Sequence, residues 1–137
     1  MATIATVQDV RTRLAGLARM SDLTPDEFAE EGGLADVVAR ELGNNLKPTQ
    51  LRKVFTEIKR VRVQVTKAQP GAPFERASLL KLMPTLAYAV GRKLLPEEFY
   101  EILKLILGRQ RVQTNADFVR TADFVEAVLA YHKYRNA

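Results

Sequence analysis

The sequence predicts an all-α fold: a compact single-domain helical bundle of about five to seven helices over residues 1–137. Two observations carry this expectation. Apolar residues recur at three- and four-residue intervals through most of the chain, as a helix with one buried face requires. Helix punctuation is also frequent, with Thr or Pro at the starts and Gly or Asn at the stops. The clearest alternating segment is Val61-Arg62-Val63-Gln64-Val65. The helical pattern that begins at Leu51 continues through it, so it reads as the tail of a helix rather than a strand.

The first helix is expected over residues 7–20, with Thr6 as its cap and Val7, Val10, Leu14 and Leu17 at helical spacing. Thr24-Pro25-Asp26-Glu27 combines a Thr cap, Pro at the first position and Glu three residues after the cap. It opens a short helix that stops at Gly32-Gly33. A second short helix over residues 34–42 ends at Gly43-Asn44-Asn45, residues that tolerate left-handed backbone. Pro48 then suits the first turn of a long helix spanning residues 47–67. Gln69-Pro70-Gly71-Ala72-Pro73 is the strongest break, read as a flexible loop near residues 68–74.

A helix over residues 74–90 follows, with Leu79, Leu82, Met83, Leu86 and Val90 inward. Pro84 is expected to kink or interrupt it, and Gly91 to stop it. Pro96 starts the next helix, with Glu97 and Glu98 complementing its dipole. Phe99, Ile102, Leu103 and Ile106 form its buried face, and Gly108 ends it. The last helix is capped by Thr114 or Asn115 and runs to about Tyr134. It has two apolar flanks: Phe118, Ala122, Val125 and Leu129 on one, Phe124, Tyr131 and Tyr134 on the other. Either it is a central helix clasped on both sides, or Phe124, Tyr131 and Tyr134 form a protein interface.

Hydrophobic residues make up 47% of the chain, enough for a core, which argues against wholesale disorder. The net charge is +5, which suits an anionic partner. Its distribution says more. Asp22, Asp26, Glu27, Glu30, Glu31, Asp36 and Glu41 face one base, Arg40, within residues 22–43. Lys47, Arg52, Lys53, Lys59, Arg60, Arg62 and Lys67 face one acid, Glu57, within residues 44–67. The two blocks can pair within one molecule or head-to-tail between copies. No cysteine is present, so disulfides and thiolate metal sites are excluded. The first residues lack a signal-peptide pattern and no apolar run is long enough to span a membrane, so a cytoplasmic location is the default.

The long helix has two faces. At about 100° per residue, Leu51, Val54, Phe55, Ile58, Val61 and Val65 fall within a sector of roughly 120°. Arg52, Lys53, Lys59, Arg60 and Lys67 fall in a separate sector of about the same width. A positive ridge on a rigid rod is a contact for a polyanion. The next helix places Lys81, Tyr88 and Arg92 on one polar face, with Lys93 nearby. An aromatic ring flanked by cations is what single-stranded nucleic acid exploits.

Catalytic chemistry is not visible. Serines occur at Ser21 and Ser78 and the only histidine is His132, without a nucleophile elbow, a phosphate loop or paired carboxylates. His132 lies near a helix C-terminus, where packing or the dipole explains it. No catalytic residue, metal site or cofactor is expected.

Asn44-Asn45-Leu46-Lys47-Pro48-Thr49-Gln50-Leu51-Arg52-Lys53, continuing to Phe55 and Ile58, resembles the small subunit of the Csm complex, the type III-A CRISPR effector. Leu82-Met83-Pro84-Thr85-Leu86-Ala87-Tyr88-Ala89-Val90-Gly91-Arg92 is similar to a second block of that family. Phe124-Val125-Glu126-Ala127-Val128-Leu129-Ala130-Tyr131-His132-Lys133 is similar to its C-terminal block. The blocks occur in family order over residues 44–133, and residues 1–43 match poorly. The resemblance implies a non-enzymatic subunit in antiviral defence. Its partners would be CRISPR RNA, target single-stranded RNA, the backbone subunit, other Csm complex subunits and further copies of itself. It carries an RNA-contact role to Lys47, Arg52, Lys53 and Arg92. Lys59, Arg60, Arg62, Lys67, Lys81, Tyr88 and Lys93 rest on helix geometry alone. The alternative is a helical DNA-binding regulator, with the turn between residues 42 and 48 joining two helices and the basic one entering a major groove.

Overall fold

The computed structural model describes residues 4–136. They form seven α-helices: α1 (Val7–Ala15), α2 (Pro25–Phe28), α3 (Leu34–Leu42), α4 (Pro48–Val65), α5 (Leu82–Gly91), α6 (Glu97–Leu107) and α7 (Asn115–Arg135). No strand occurs among the described residues. The all-α expectation holds.

Most boundaries follow the local signals. Thr6 and Thr114 each accept a bond from the third helical N–H, and Asp9 and Asp117 bond back to the cap. Pro48 sits in the first turn of α4, and its six expected core residues are all buried. Gly43 leaves α3 at φ +48°, a conformation that costs glycine little.

Three boundaries differ. The first helix stops at Ala15, not near Met20: the Leu17 N–H bonds the Leu14 carbonyl three residues back (3.1 Å) instead of the Arg13 carbonyl four back, which ends the α pattern. Met20–Asp22 then forms a separate 3₁₀ turn. The Pro25 helix is a single turn, and the Thr24 side chain makes no capping bond. The helix expected over residues 74–90 is split: Arg76–Leu79 is a 3₁₀ turn and α5 begins only at Leu82. Pro84 therefore lies in the first turn of α5, where an N–H has no intrahelical acceptor, and it does not kink the helix.

Segment 68–74 is irregular but anchored. Phe74 N–H donates to the Gln113 carbonyl (2.9 Å), Asn115 N–H to Ala72 (3.0 Å) and Ala116 N–H to Pro70 (2.9 Å). The Phe74 ring stacks on Phe118 at 4.7 Å.

The core is organised around α7, which packs against α3 and α4. α1 lies on α6 and α3, and α5 bridges α4 and α6. Phe118, Ala122, Phe124, Val125 and Val128 are all fully buried along α7. It is thus the clasped central helix. Phe124 belongs to this core, with its ring 5.8 Å from Phe28, and is not available as a partner surface.

Candidate nucleic-acid interface

Charge pairing sorts the basic residues into two groups. Buried or half-buried pairs hold the bundle together. Asp117 is buried at the start of α7 and accepts bonds from Arg19 (2.9 Å), Ser21 N–H (3.1 Å), Gln113 N–H (3.0 Å) and Thr114 N–H (3.0 Å). Burial alone would raise its pKa. The bonds from Ser21, Arg19, Thr114 and Gln113 outweigh burial and hold the carboxyl far below the usual carboxylate range. Asp36, buried in α3, is held low by Arg135 near the end of α7.

Arg62 belongs to this structural group. Its side chain is only 19% exposed and reaches Asp123 (2.9 Å) and Glu126 (3.5 Å) on α7. The helical arithmetic that defines the ridge puts Arg62 in the apolar sector, between Leu51 and Phe55. It is therefore not a ridge residue, and its assignment to RNA contact is withdrawn.

The remaining α4 cations stand outward. Lys47 is the cap residue of α4; Arg52, Lys53, Lys59 and Arg60 lie on the helix and Lys67 just beyond its end, and all six are exposed. Arg60 pairs with Glu57. No ion pair joins the acidic block at residues 22–43 to the basic block at residues 44–67 among the described residues; Glu27 pairs with Arg13, Glu41 with Arg40, and Asp36 with Arg135. Within the basic block Arg60 and Arg62 have acidic partners, and the other five bases make no ion pair among the described residues.

Tertiary packing joins the two surfaces that the sequence presents separately. A groove of ≈ 570 Å³ runs between α4 and α5, lined by Arg52, Lys53 and Glu57 on one wall and Lys81, Leu82 and Thr85 on the other. A second hollow brings Lys47 together with Lys93, beside Glu97 and Glu98. α5 thus runs back along the first half of α4. Lys93 takes φ +61° in the turn that closes α5, where the Leu94 N–H bonds the Ala89 carbonyl (2.9 Å). Tyr88 is 64% exposed. Arg92 donates to its hydroxyl at 3.0 Å and sits 5.7 Å from its ring centre, which steadies the ring. Lys59 and Lys67 line neither hollow.

On the proposed protein face, Tyr131 donates its hydroxyl to the Ala29 carbonyl (2.7 Å), while Tyr134 is 65% exposed. His132 is 2% exposed, with Nε2 3.0 Å from the Gly43 carbonyl. It braces the turn between α3 and α4. No cluster of three or more potential metal ligands occurs among the described residues. No helix among them is long and apolar enough to cross a membrane.

Sequence reasoning missed the groove lining of Thr49, Gln50, Thr56 and Thr85, because nothing in either helix announces which face the other will meet. The Asp117 hub had a local signal, the Thr114-x-x-Asp117 capping box.

A family model described as Csm2 Type III-A matches residues 27–137. The match reaches back beyond Asn44 to include α3 and residues 27–43, which the resembling blocks do not cover. No curated protein and no solved structure matches.

Proposed function

The chain belongs to the Csm2 Type III-A family and is a small subunit of the type III-A CRISPR complex, and from that premise we propose that it is a non-enzymatic RNA-contacting subunit acting in antiviral defence. Its α4 ridge and the facing end of α5 neutralise phosphates of CRISPR RNA or target RNA. Lys47, Arg52, Lys53, Lys59, Arg60, Lys67, Lys81, Arg92 and Lys93 supply the charge and Tyr88 a stacking face. Sequence is read by guide pairing rather than by this chain, and repeated copies along the backbone subunit supply avidity. Tyr131 and Tyr134 mark the side that packs on a neighbouring subunit. The proposed location is the cytoplasm.

The observation that carries the reading is the cluster of outward cations on α4 and α5, of which Arg52, Lys53, Lys59, Lys67 and Lys81 make no ion pair among the described residues. The regulator reading fares worse. Leu34, Ala35, Asp36, Val37, Val38, Ala39 and Leu42 of α3 are buried, which leaves that helix little surface with which to cross a phosphate backbone.

The test is charge reversal of Arg52, Lys53 and Lys81 to Glu together. RNA affinity should fall to background while helicity by circular dichroism is unchanged. If four or five cations touch a single strand, log affinity should fall against log salt with a slope near −3. Unchanged affinity in the triple variant would sink the interface. A preference for duplex DNA over single-stranded RNA would put the regulator in front.

A further inference from the structure

We propose that the groove between α4 and α5 seats an unstacked base of a single-stranded RNA, with the adjoining phosphates on its walls. The proposal rests on the reading of α4 as a phosphate-contacting ridge and adds a site for the base, which a ridge of charges does not supply.

The groove combines two chemistries. Its floor includes Val54 and Leu82, side chains otherwise buried in the core. Thr56 donates its hydroxyl to the Arg52 carbonyl (2.9 Å) and Thr85 to the Lys81 carbonyl (2.9 Å). Both hydroxyl hydrogens are thus used within their own helices, and each threonine adds acceptor and methyl surface instead. The aliphatic stems of Arg52, Lys53 and Lys81 extend this apolar lining upward. Their charged ends make no ion pair among the described residues, and the carboxylate of Glu57 is engaged by Arg60. A polyanion alone needs no apolar floor, and an apolar ligand alone needs no uncompensated cations. A nucleotide with its base unstacked needs both.

Size and layout agree. The ≈ 570 Å³ of the groove lies within the range of about 300–1,000 Å³ typical of small-molecule sites. Cations stand on both walls, as a backbone crossing the groove requires. Gln50 at the margin offers both a donor and an acceptor to a base edge. One helical turn beyond Thr85, the exposed ring of Tyr88 extends the path as a second platform. These features favour nucleic acid over an acidic peptide. They also favour a single strand, because the bases of a duplex are stacked out of reach of such a groove.

Methyl-detected NMR on the full chain tests this, since it registers weak binding residue by residue. The protein is titrated with an oligouridine and, separately, with an abasic strand of the same length. Val54 and Leu82 methyls should shift with oligouridine, which should bind about tenfold more tightly than the abasic strand. Thr85→Phe, which fills the groove from an exposed position, should erase that advantage, so that the two strands bind alike. Lys81→Gln should weaken both strands alike. Equal binding of the two strands, with Val54 and Leu82 unmoved, would overturn the base seat and leave the ridge standing. No response to either strand would overturn both. Occupation of the groove by an acidic, leucine-bearing peptide but by neither strand would assign it to a protein partner and also overturn the proposal.

Discussion

Arg52 and Arg62 sit on the same helix and differ in everything but chemistry. Arg62 is turned against α7, largely buried, and held by Asp123 and Glu126. Arg52 is exposed beside the α4–α5 groove and makes no ion pair among the described residues, the nearby Glu57 being held by Arg60. Internal ion pairs are spread along the length of α7, while the α4–α5 side presents cations, Arg52, Lys53 and Lys81 among them, that make no ion pair among the described residues. A count of basic residues does not measure surface charge. What an arginine does depends on whether the fold has already supplied its counter-ion.

Asp117 sets the outer limit of that contrast, and its loss should have the largest effect. Asp117→Ala removes the acceptor of Arg19 and of three backbone N–H groups. It should destabilise the fold by about 3 kcal/mol, read from denaturant midpoints. Its carboxyl is held low in the folded state, so its stabilising effect is fully present above the unfolded value near pH 4. That contribution should be lost as pH falls through the folded value. Asp117→Asn should therefore show a flatter acid limb than the wild type.

The comparison itself is tested by Arg62→Ala against Arg52→Ala. The first should cost about 1–2 kcal/mol of stability and leave RNA affinity within twofold. The second should leave stability within about 0.5 kcal/mol and weaken RNA binding several-fold. Equal effects on both readouts would dissolve the distinction.

The smallest effects lie on the tyrosine side. Tyr131→Phe removes one bond to the Ala29 carbonyl and should cost about 0.5–1 kcal/mol. Tyr134→Ala should cost almost nothing in the free chain, yet reduce recovery of the other subunits when the tagged protein is purified from cells. Undiminished recovery would remove Tyr134 from the interface.

Helix faces were readable because periodicity is local. Leu51 through Val65 announced the buried sector of α4, and Phe99 through Ile106 that of α6, without reference to any other segment. Errors came where the chain offered two endings or two partners. Leu17 and Met20 keep helical spacing after Gly16, yet the backbone turns there and buries both by another route. Phe124 and Tyr131 share a flank on paper. In the bundle Phe28 covers the first, and the second anchors its hydroxyl on the same short segment.

The sequence by itself determined the helical class, the positions of most helix starts, the two-faced character of α4 and the blocks that carry the family resemblance. All of these depend on neighbours within a few turns of one helix. Only the tertiary structure decided which cations remain free, that Phe124 and His132 are core residues, and that Lys81 faces Arg52 and Lys53 across one groove. Those outcomes rest on contacts between distant segments, as when Arg62 finds Asp123 or His132 finds Gly43. No local period records them, because the partner of a charge is chosen by how the helices pack.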